Sequence, residues 1–482
     1  MSVSSVEGAG GQLPFVQLNG EILVDLPEGF DGDLRVNIDS EIALTSGAQS
    51  HSGPTYLYQP VGHMFDVVDH KVMLSGQGEL VASTSQPVTD VGSIEPPALA
   101  IGKYITLTTE AAGTPVEAMA FEHQVFTGAA HAGQSRESLN IDANEGGAGG
   151  KSFDTGSNAT QSSVNGDVRS KVFASDAATT LKIYNEVLGP LSAPKLTVAQ
   201  ARGFHPAMTA NVAAAGMMTL AESELFFFDV SGQEATLYIF QAQAYELSRQ
   251  WVGVSVAVGD ELADFYFFDG LRRYLSAYAL EQARATNPFL DSFLDLTMRW
   301  AVRTEQGGRK VQLGFDSGWE TMGAGAEARG YLLFNNLRYA VGEQAMNKGL
   351  KAAFGLLQGE PAYSDDLVNA LETAFSMDLS PLFSEGVALA TYAGSIDVAY
   401  HIEGSGAGSV LTATATPNGN GPSLGATVRL TFTDMSEGIL FVPFDQAIST
   451  VLPMGVRKVE GFRRGSGLAR RVSVDKAGAP LK

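Results

Sequence analysis

The chain has 482 residues and no cysteine. Disulfide bonds, thiolate zinc sites, cysteine-ligated iron–sulfur clusters and a cysteine nucleophile are therefore excluded together. The absence does not assign a compartment, because a reducing cytosol and an oxidising exterior both tolerate a chain without cysteine.

Long apolar runs are missing as well. No stretch approaches the roughly 18 consecutive apolar residues of a transmembrane helix, so we expect no transmembrane segment. Residues 1–15 lack the basic and apolar regions of a signal peptide. The acidic, lysine-poor, cysteine-free composition nevertheless favours an extracytoplasmic (periplasmic or secreted) bacterial protein.

Positive charge is scarce. The chain carries 31 Lys and Arg against 53 Asp and Glu, a formal net charge of −22, so we expect no nucleic-acid partner. Basic residues are concentrated in 457–482, where eight Lys and Arg accompany only Glu460 and Asp475. This basic tail is either a solvated, frayed terminus or a contact arm that reaches an acidic surface on this protein or on a partner.

The pattern of apolar residues predicts a multidomain α+β protein. Short alternating runs between about residues 13 and 135 are typical of a β domain, and strand patterns return from residue 391. The intervening chain has helical periodicity. The predicted units are an N-terminal β domain at 1–141, a Gly/Ser/Asn/Asp-rich flexible linker or loop at 142–168, a mainly helical segment at 169–310, further helices at 311–390, and a C-terminal β-sandwich with the basic tail at 391–482.

Individual elements follow from periodicity and from stop signals. The first helix is expected to end before Gly189 and Pro190. The predicted helices are 177–187, 236–251, 260–284, 288–304, 330–341, 343–357 and 365–375, with a short strand at 195–200 and later strands at 427–433 and 438–442.

Three short motifs do not support chemistry. The run GGAGGKS at 146–152 resembles a phosphate-binding loop, but Glu145 stands where that loop needs glycine. The run GPSLG around Ser423 matches a nucleophile elbow, yet strand-like segments flank it, which favours a hairpin loop. None of the seven histidines has a partner at i+4 on a predicted helix, so no helical zinc pair is expected.

Six segments between about residues 181 and 392 together resemble the M1 aminopeptidase family. In order along the chain, these are YNEVLGPLSAPKL at 184–196, AAGMMTL at 214–220, YELSRQWVG at 245–253, DFYFFDGLRRY at 264–274, EARGYLL at 327–333, and 363–383. The third segment stands where the family has H-E-x-x-H-Q-W-x-G, and the fourth resembles the helix that supplies the third zinc ligand. The resemblance implies a thermolysin-like α/β middle domain followed by helices, and a deep cleft for an extended peptide.

The family's catalytic positions carry other residues here. The two zinc-binding histidines are replaced by Tyr245 and Arg249, and a guanidinium has no lone pair to offer a metal and repels a dication. The resemblance places Asp269 nearest to the third ligand, although the spacing is one residue too long. Thr219 stands near the substrate-anchoring glutamate and Glu327 near the oxyanion-stabilising tyrosine.

Glu246 alone keeps its family identity, that of the general base. With no metal-bound water to activate, we interpret it as a helix carboxylate that pairs with Arg249 at i+3. A sharper hypothesis makes Arg249 the substitute for zinc, in a bidentate pair with Glu246, Asp269 or Glu327 and stacked near Tyr245.

The sequence therefore predicts a non-catalytic M1-like protein, without metal or cofactor, that binds a peptide or protein in the former active-site cleft or has a structural role. Two alternatives remain open. One is an enzyme with metal-free acid–base chemistry in the same cleft, built on Glu246, Glu327 and Asp269. The other is an unrelated structural or surface protein.

Overall fold

The computed structural model describes residues 2–8, 11–18, 21–24, 35–39, 56–58, 81–84, 99–102, 104–121, 166–201, 213–214, 216–221, 233–256, 258, 262–284, 290, 292–294, 319–358, 362–383, 393–419, 423–444 and 446–478. The predicted phosphate-loop resemblance at 146–152, most of the predicted helix at 288–304, and six of the seven histidines lie outside these ranges. Within them the chain is a mixed α+β protein.

Short antiparallel strands form the N-terminal part, as the alternating pattern predicts. They pair in the orders β2-β1-β5, β3-β4 and β6-β8-β7. Their bounds are Ser2–Gly8 (β1), Gly11–Gln12 (β2), Phe15–Leu18 (β3), Glu21–Val24 (β4), Arg35–Asp39 (β5), Tyr56–Tyr58 (β6), Val81–Thr84 (β7) and Leu99–Gly102 (β8).

A five-stranded mixed sheet corrects the predicted boundary at residue 141. Its order is β12-β13-β11-β10-β9, so two strands before that boundary share a sheet with three strands after it. β10 runs parallel to β11, which runs parallel to β13, and the outer strands β9 and β12 are antiparallel to their neighbours. The bounds are Tyr104–Ala111 (β9), Thr114–Phe121 (β10), Leu196–Ala201 (β11), Ala213–Ala214 (β12) and Met217–Ala221 (β13).

The sequence could not reveal this pairing, because it joins residues far apart in the chain. Val116, Ala118 and Met119 of β10 are all fully buried, which is typical of a strand covered on both faces. The local alternation in β9 identified a strand but not the sheet that it joins.

Seven helices of the described residues agree with the predicted periodicity to different extents, since the helix predicted at 330–341 begins at Trp319, and the helix Ser380–Phe383 is not among the predicted ones. Helix α1 begins at Gly166, so residues 166–168 of the predicted linker are helical. The buried face of this helix starts shortly afterwards, at Ser170 and Phe173. The helices are Gly166–Val187 (α1), Gln233–Leu247 (α2), Leu262–Arg284 (α3), Trp319–Val341 (α4), Glu343–Leu357 (α5), Ser364–Phe375 (α6) and Ser380–Phe383 (α7).

Helices α3 and α4 cross at two glycines in backbone contact. A Cβ added at Gly270 would lie 2.5 Å from the Cα of Gly330, which is closer than two non-bonded carbon atoms can approach. The crossing sets α4 directly beside the part of α3 that carries Asp269 and Arg272. None of the described helices is long and apolar enough to cross a membrane.

Two sheets form the C-terminal unit, in the orders β18-β15-β14-β20 and β17-β16-β19. Apolar side chains from both sheets meet in one buried cluster, including Val398 and Leu411 from the first and Val428 and Leu430 from the second. The strands are Ala393–Glu403 (β14), Val410–Asn418 (β15), Gly425–Phe432 (β16), Glu437–Pro443 (β17), Ile448–Val451 (β18), Val456–Gly461 (β19) and Ala469–Lys476 (β20).

Residues 457–478 of the basic tail are part of the folded C-terminal unit. β19 and β20 belong to the two C-terminal sheets, and the 3-10 turn Arg463–Gly465 lies between them. Arg464 is buried and reaches Glu281 of α3, with its Nη1 3.5 Å from Oε1. The alternative interpretation, a contact to an acidic group of this protein, is correct for Arg464.

Candidate functional site

The candidate site lies where the end of α2 packs against α3. Helix α2 ends at Leu247, and one 3-10 turn, Ser248–Gln250, continues it. The helix predicted at 236–251 is therefore irregular in its last turn. A 3-10 turn aligns side chains at i and i+3, which brings Arg249 over Glu246 and away from the i+4 relation to Tyr245.

Arg249 and Glu246 form an ion pair across this turn. The Nε atom of Arg249 lies 3.1 Å from Oε2 of Glu246. The Glu246 side chain is 4% exposed and that of Arg249 is 29% exposed. The pairing at i+3 that the sequence predicts for this carboxylate is therefore present.

The central cation of the site is Arg272, not Arg249. Its side chain is 5% exposed, and its Nη1 lies 2.5 Å from Oδ1 of Asp269. Its Nη2 lies 3.9 Å from Oε2 of Glu246. One guanidinium thus lies between the two carboxylates, whereas the predicted pairing of Arg249 with Glu246, Asp269 or Glu327 is present to Glu246, through Nε.

Arg272 also binds the end of α2 directly. Its Nε donates to Oγ of Ser248 at 3.3 Å, and its Nη2 donates to the backbone oxygen of Tyr245 at 3.3 Å. Ser248 Oγ donates in turn to the same Tyr245 oxygen at 2.6 Å. The last carbonyl groups of a helix have no hydrogen-bond partner within the helix, and these donors supply one at the end of α2.

The ring of Tyr245 contacts two guanidinium groups. The Cζ of Arg272 lies 4.0 Å from the ring centroid and that of Arg273 lies 4.5 Å from it. The predicted stacking of Tyr245 on an arginine is therefore present, but the arginines come from α3. The four groups Glu246, Asp269, Arg272 and Tyr245 are called the arginine cluster below.

The arginine cluster does not suit metal binding or proton transfer. The guanidinium groups of Arg249 and Arg272 face the carboxylates of Glu246 and Asp269. A guanidinium neither offers a lone pair nor releases its proton at neutral pH. Among the described residues, no group of three or more His, Asp and Glu could hold a metal ion. The donor set at Tyr245 and Arg249 does not fit the zinc that the family resemblance implies.

Gln250 fixes the site to the sheet. Its Oε1 accepts from the backbone N–H of Gly216 at 2.8 Å, and its Nε2 donates to the backbone oxygen of Met217 at 3.0 Å. The turn between β12 and β13 is thereby held against the 3-10 turn that carries Arg249. Gln250 was not among the predicted site residues, because a neutral amide side chain in the sequence does not indicate a contact with a distant strand.

Trp251 and Tyr184 fix the site to α1. Trp251 donates from Nε1 to the backbone oxygen of Gly189 at 3.0 Å, and Tyr184 donates from its hydroxyl to that of Ala244 at 2.9 Å. The two rings pack edge to face, with centroids 5.5 Å apart. Burial raises the pKa of Tyr184 well above its usual value, so the hydroxyl keeps its proton as donor. The structure thus brings together the first and third of the six segments.

Two candidate residues do not join the arginine cluster. Thr219 lies in β13, which has neighbours on both sides, and it is 1% exposed. A residue that anchors a substrate's amino group must face the cleft, so this buried position does not suit the anchoring role. Glu327 falls within α4, but its side chain is outside the described part of the structure.

Two motifs set aside in the sequence have structural roles. The Ser423 hydroxyl donates to the backbone oxygen of Gly425 at 2.6 Å, and strand β16 follows it instead of a helix. This does not fit a nucleophile elbow, and the predicted hairpin loop is wrong as well, because β15 and β16 on either side of the segment belong to different sheets. His401, on β14, contacts the backbone oxygen of Ala477 through Nδ1 at 3.4 Å.

No protein-family model matches the chain, and no curated protein matches its sequence.

Proposed function

We propose that this chain is a non-catalytic protein with an M1 aminopeptidase-like architecture, in which the arginine cluster replaces the metal centre. The proposal takes its family from the ordered segments in the sequence and its chemistry from the site. On this proposal the mixed sheet with α1 to α3 is a thermolysin-like domain, and the two C-terminal sheets are a β-sandwich.

The observation that carries the proposal is the position of Arg272. Its buried guanidinium lies between Asp269 and Glu246, the residues that the resemblance assigns to the third ligand and the general base. Removal of a dication from such a site would leave two carboxylates buried without compensation, which costs several kcal/mol per ion. A permanent cation at the same place compensates them and excludes the metal.

Loss of hydrolysis is compatible with retention of a cleft. A general base must accept a proton from a bound water or substrate. Glu246 is 4% exposed and already engages two guanidinium groups. What remains is a surface for binding a peptide or protein by strand addition or by side-chain contacts, or a structural element.

The test measures binding and cleavage in one sample. The purified protein is incubated with a mixed peptide library, and mass spectrometry follows both the retained peptides and any shortened products. Chromogenic aminoacyl substrates are assayed in parallel. We expect no release of N-terminal residues, because amine anchoring, water activation and oxyanion stabilisation are all changed, and loss of one such element costs about a hundredfold or more.

Glu246→Gln is the control that separates a binder from an enzyme. The substitution removes the residue that the resemblance assigns to the general base while keeping the shape of the side chain. Activity that falls in Glu246→Gln, but persists in the exposed Glu437→Gln, would refute the proposal and favour acid–base chemistry in the cleft.

A further inference from the structure

A second buried ion cluster, remote in the sequence from the first, joins the helices to the C-terminal sheets. The Glu281 carboxylate of α3 receives Nη1 of Arg338, from α4, at 2.7 Å. Its other oxygen lies 3.5 Å from Nη1 of Arg464, in the 3-10 turn of the C-terminal unit. Both arginine side chains are about as buried as core residues, at 5% and 6% exposed.

Two asparagines of α4 reach the same 3-10 turn and the start of β16. Asn335 donates to the backbone oxygen of Arg464 at 2.7 Å. Asn336 donates to the backbone oxygen of Gly465 at 2.8 Å and accepts from the backbone N–H of Leu424 at 2.8 Å. Both asparagines are at most 1% exposed, so these amides serve the contact and not the solvent.

The fit at Gly465 shows how closely the two units approach. A Cβ added there would lie 2.5 Å from Oγ1 of Thr427 and 2.6 Å from the Tyr339 ring. The Tyr339 ring also packs edge to face on Phe462, with centroids 5.8 Å apart. An interface with buried, hydrogen-bonded polar groups and no room for one carbon resembles the interior of a domain more than a mobile domain contact.

We infer that α4 and Glu281 form a clasp that fixes the C-terminal sheets to the helices, so that residues 393–478 are an integral part of the fold and not a separately moving module. The clasp consists of Glu281, Asn335, Asn336, Arg338 and Arg464. Glu281 is its central group, because the carboxylate is shared between one guanidinium from each unit. Loss of this carboxylate is costly, since the guanidinium groups of Arg338 and Arg464 stay buried without it.

The inference extends the proposed function without depending on it. If the clasp is present, the C-terminal sheets cannot swing away from α4 to admit a ligand. A binding surface therefore does not form by separation of these sheets from α4, and the arginine cluster and the clasp are held at fixed separation by the single helix α3, which carries Asp269, Arg272 and Glu281.

Native-state hydrogen exchange of the full chain, followed by mass spectrometry in a denaturant series, tests the clasp. In the unsubstituted protein, amides of β16 and of α4 should exchange through one common opening, with the same dependence on denaturant. In Glu281→Gln the two sets of amides should no longer exchange through one opening, and those of β16 should exchange at least tenfold faster than those of α4. The matched control is Glu437→Gln, which makes the same change at an exposed ion pair with Arg429 within the C-terminal unit.

Three results would overturn the inference. The first is separate opening of β16 and α4 in the unsubstituted protein. The second is a Glu281→Gln effect no larger than that of the control. The third is an equal shift of both units, which would show that Glu281 stabilises the fold without joining its parts. If Glu281→Gln does not fold, Asn336→Ala removes clasp contacts without leaving a buried charge, and it should separate the two units in the same way.

Discussion

Arg272 lies against the ring of Tyr245, with its Cζ 4.0 Å from the ring centroid, while its Nη1 holds Asp269 at 2.5 Å. The two residues come from different helices, and the resemblance assigns Tyr245 to a position that holds a zinc ligand in the M1 family. One buried arginine therefore contacts Tyr245 and Asp269, which the resemblance compares with two zinc ligands of that family. The stability and metal content of the protein should both reflect this contact.

Arg272→Ala should destabilise the protein much more than Arg249→Ala. Removal of Arg272 leaves Asp269 and Glu246 without their buried partner, a loss of about 3–5 kcal/mol. Arg249 is 29% exposed, and removal of such a partly solvated partner should cost about 1 kcal/mol or less. Urea unfolding of the two variants measures the difference. A larger loss of unfolding free energy in Arg249→Ala than in Arg272→Ala would show that Arg249, and not Arg272, is the central cation of the site.

The purified protein should contain well under one zinc per chain. The resemblance places Tyr245 and Arg249 at the zinc-ligand positions, and a guanidinium repels a dication. Elemental analysis after dialysis against metal-free buffer gives the ratio. A ratio near one that a chelator removes would contradict both the prediction and the proposed function.

Gly270→Ala should destabilise the protein by about 1–3 kcal/mol, because the new methyl group would be forced into the backbone of Gly330. Gly355→Ala is the matched control. Gly355 also lies within a helix, α5, but a Cβ there meets nothing within 4 Å. The control should be stabilised by about 0.5–1 kcal/mol, since alanine favours the helix. Equal thermal midpoints for the two variants would argue against the close crossing.

Asp176 should make the protein less stable as the pH rises through about 6. This carboxyl of α1 is buried, and its burial raises its pKa from 3.8 to about 6, with Arg284 acting in the opposite direction. Because the folded pKa exceeds the unfolded one, the stabilising contribution of the protonated group is complete below about pH 3.8. It is lost as the pH rises through about 6, amounting to at most about 3 kcal/mol.

Asp176→Asn should remove this pH dependence. The neutral amide avoids the buried charge, so the variant should gain on the parent protein between pH 5 and pH 7.5, as read from urea midpoints. Asp475→Asn, the same change at an exposed position of β20, is the control. If the urea midpoint of the parent protein instead rises relative to that of Asp176→Asn between pH 5 and pH 7.5, the predicted direction of the pH dependence is wrong.

Local sequence determined the helices and many of the strands. The helix predicted at 343–357 has those bounds in the structure, and that predicted at 365–375 begins one residue earlier. The first helix ends at Val187, before Gly189, whose φ of 100° suits glycine. These features depend on side-chain periodicity and on stop signals that act over a few residues, so the sequence is sufficient to predict them.

The pairing of groups within the site was only partly predictable. The ion pair between Glu246 and Arg249 is local, at i+3, and the sequence identified it. The central place of Arg272 was missed, because it depends on how α3 packs against the end of α2. The 3-10 turn at Ser248–Gln250 also arises at this contact, where Arg272 and Gln250 bind backbone groups.

The sequence by itself therefore determined the type and order of most of the described helices and strands, and it places Tyr245 and Arg249, not histidines, at the positions that the resemblance compares with zinc ligands. Only the tertiary structure decided which arginine neutralises Glu246 and Asp269, which strands share the sheet of β9 and β10, and that Arg464 of the basic tail meets Glu281. The physical reason is the same in each case. The contacts of Arg272 with Glu246 and of Arg464 with Glu281 join residues 26 and 183 positions apart, and their energies depend on burial and geometry that arise only when separate elements pack together.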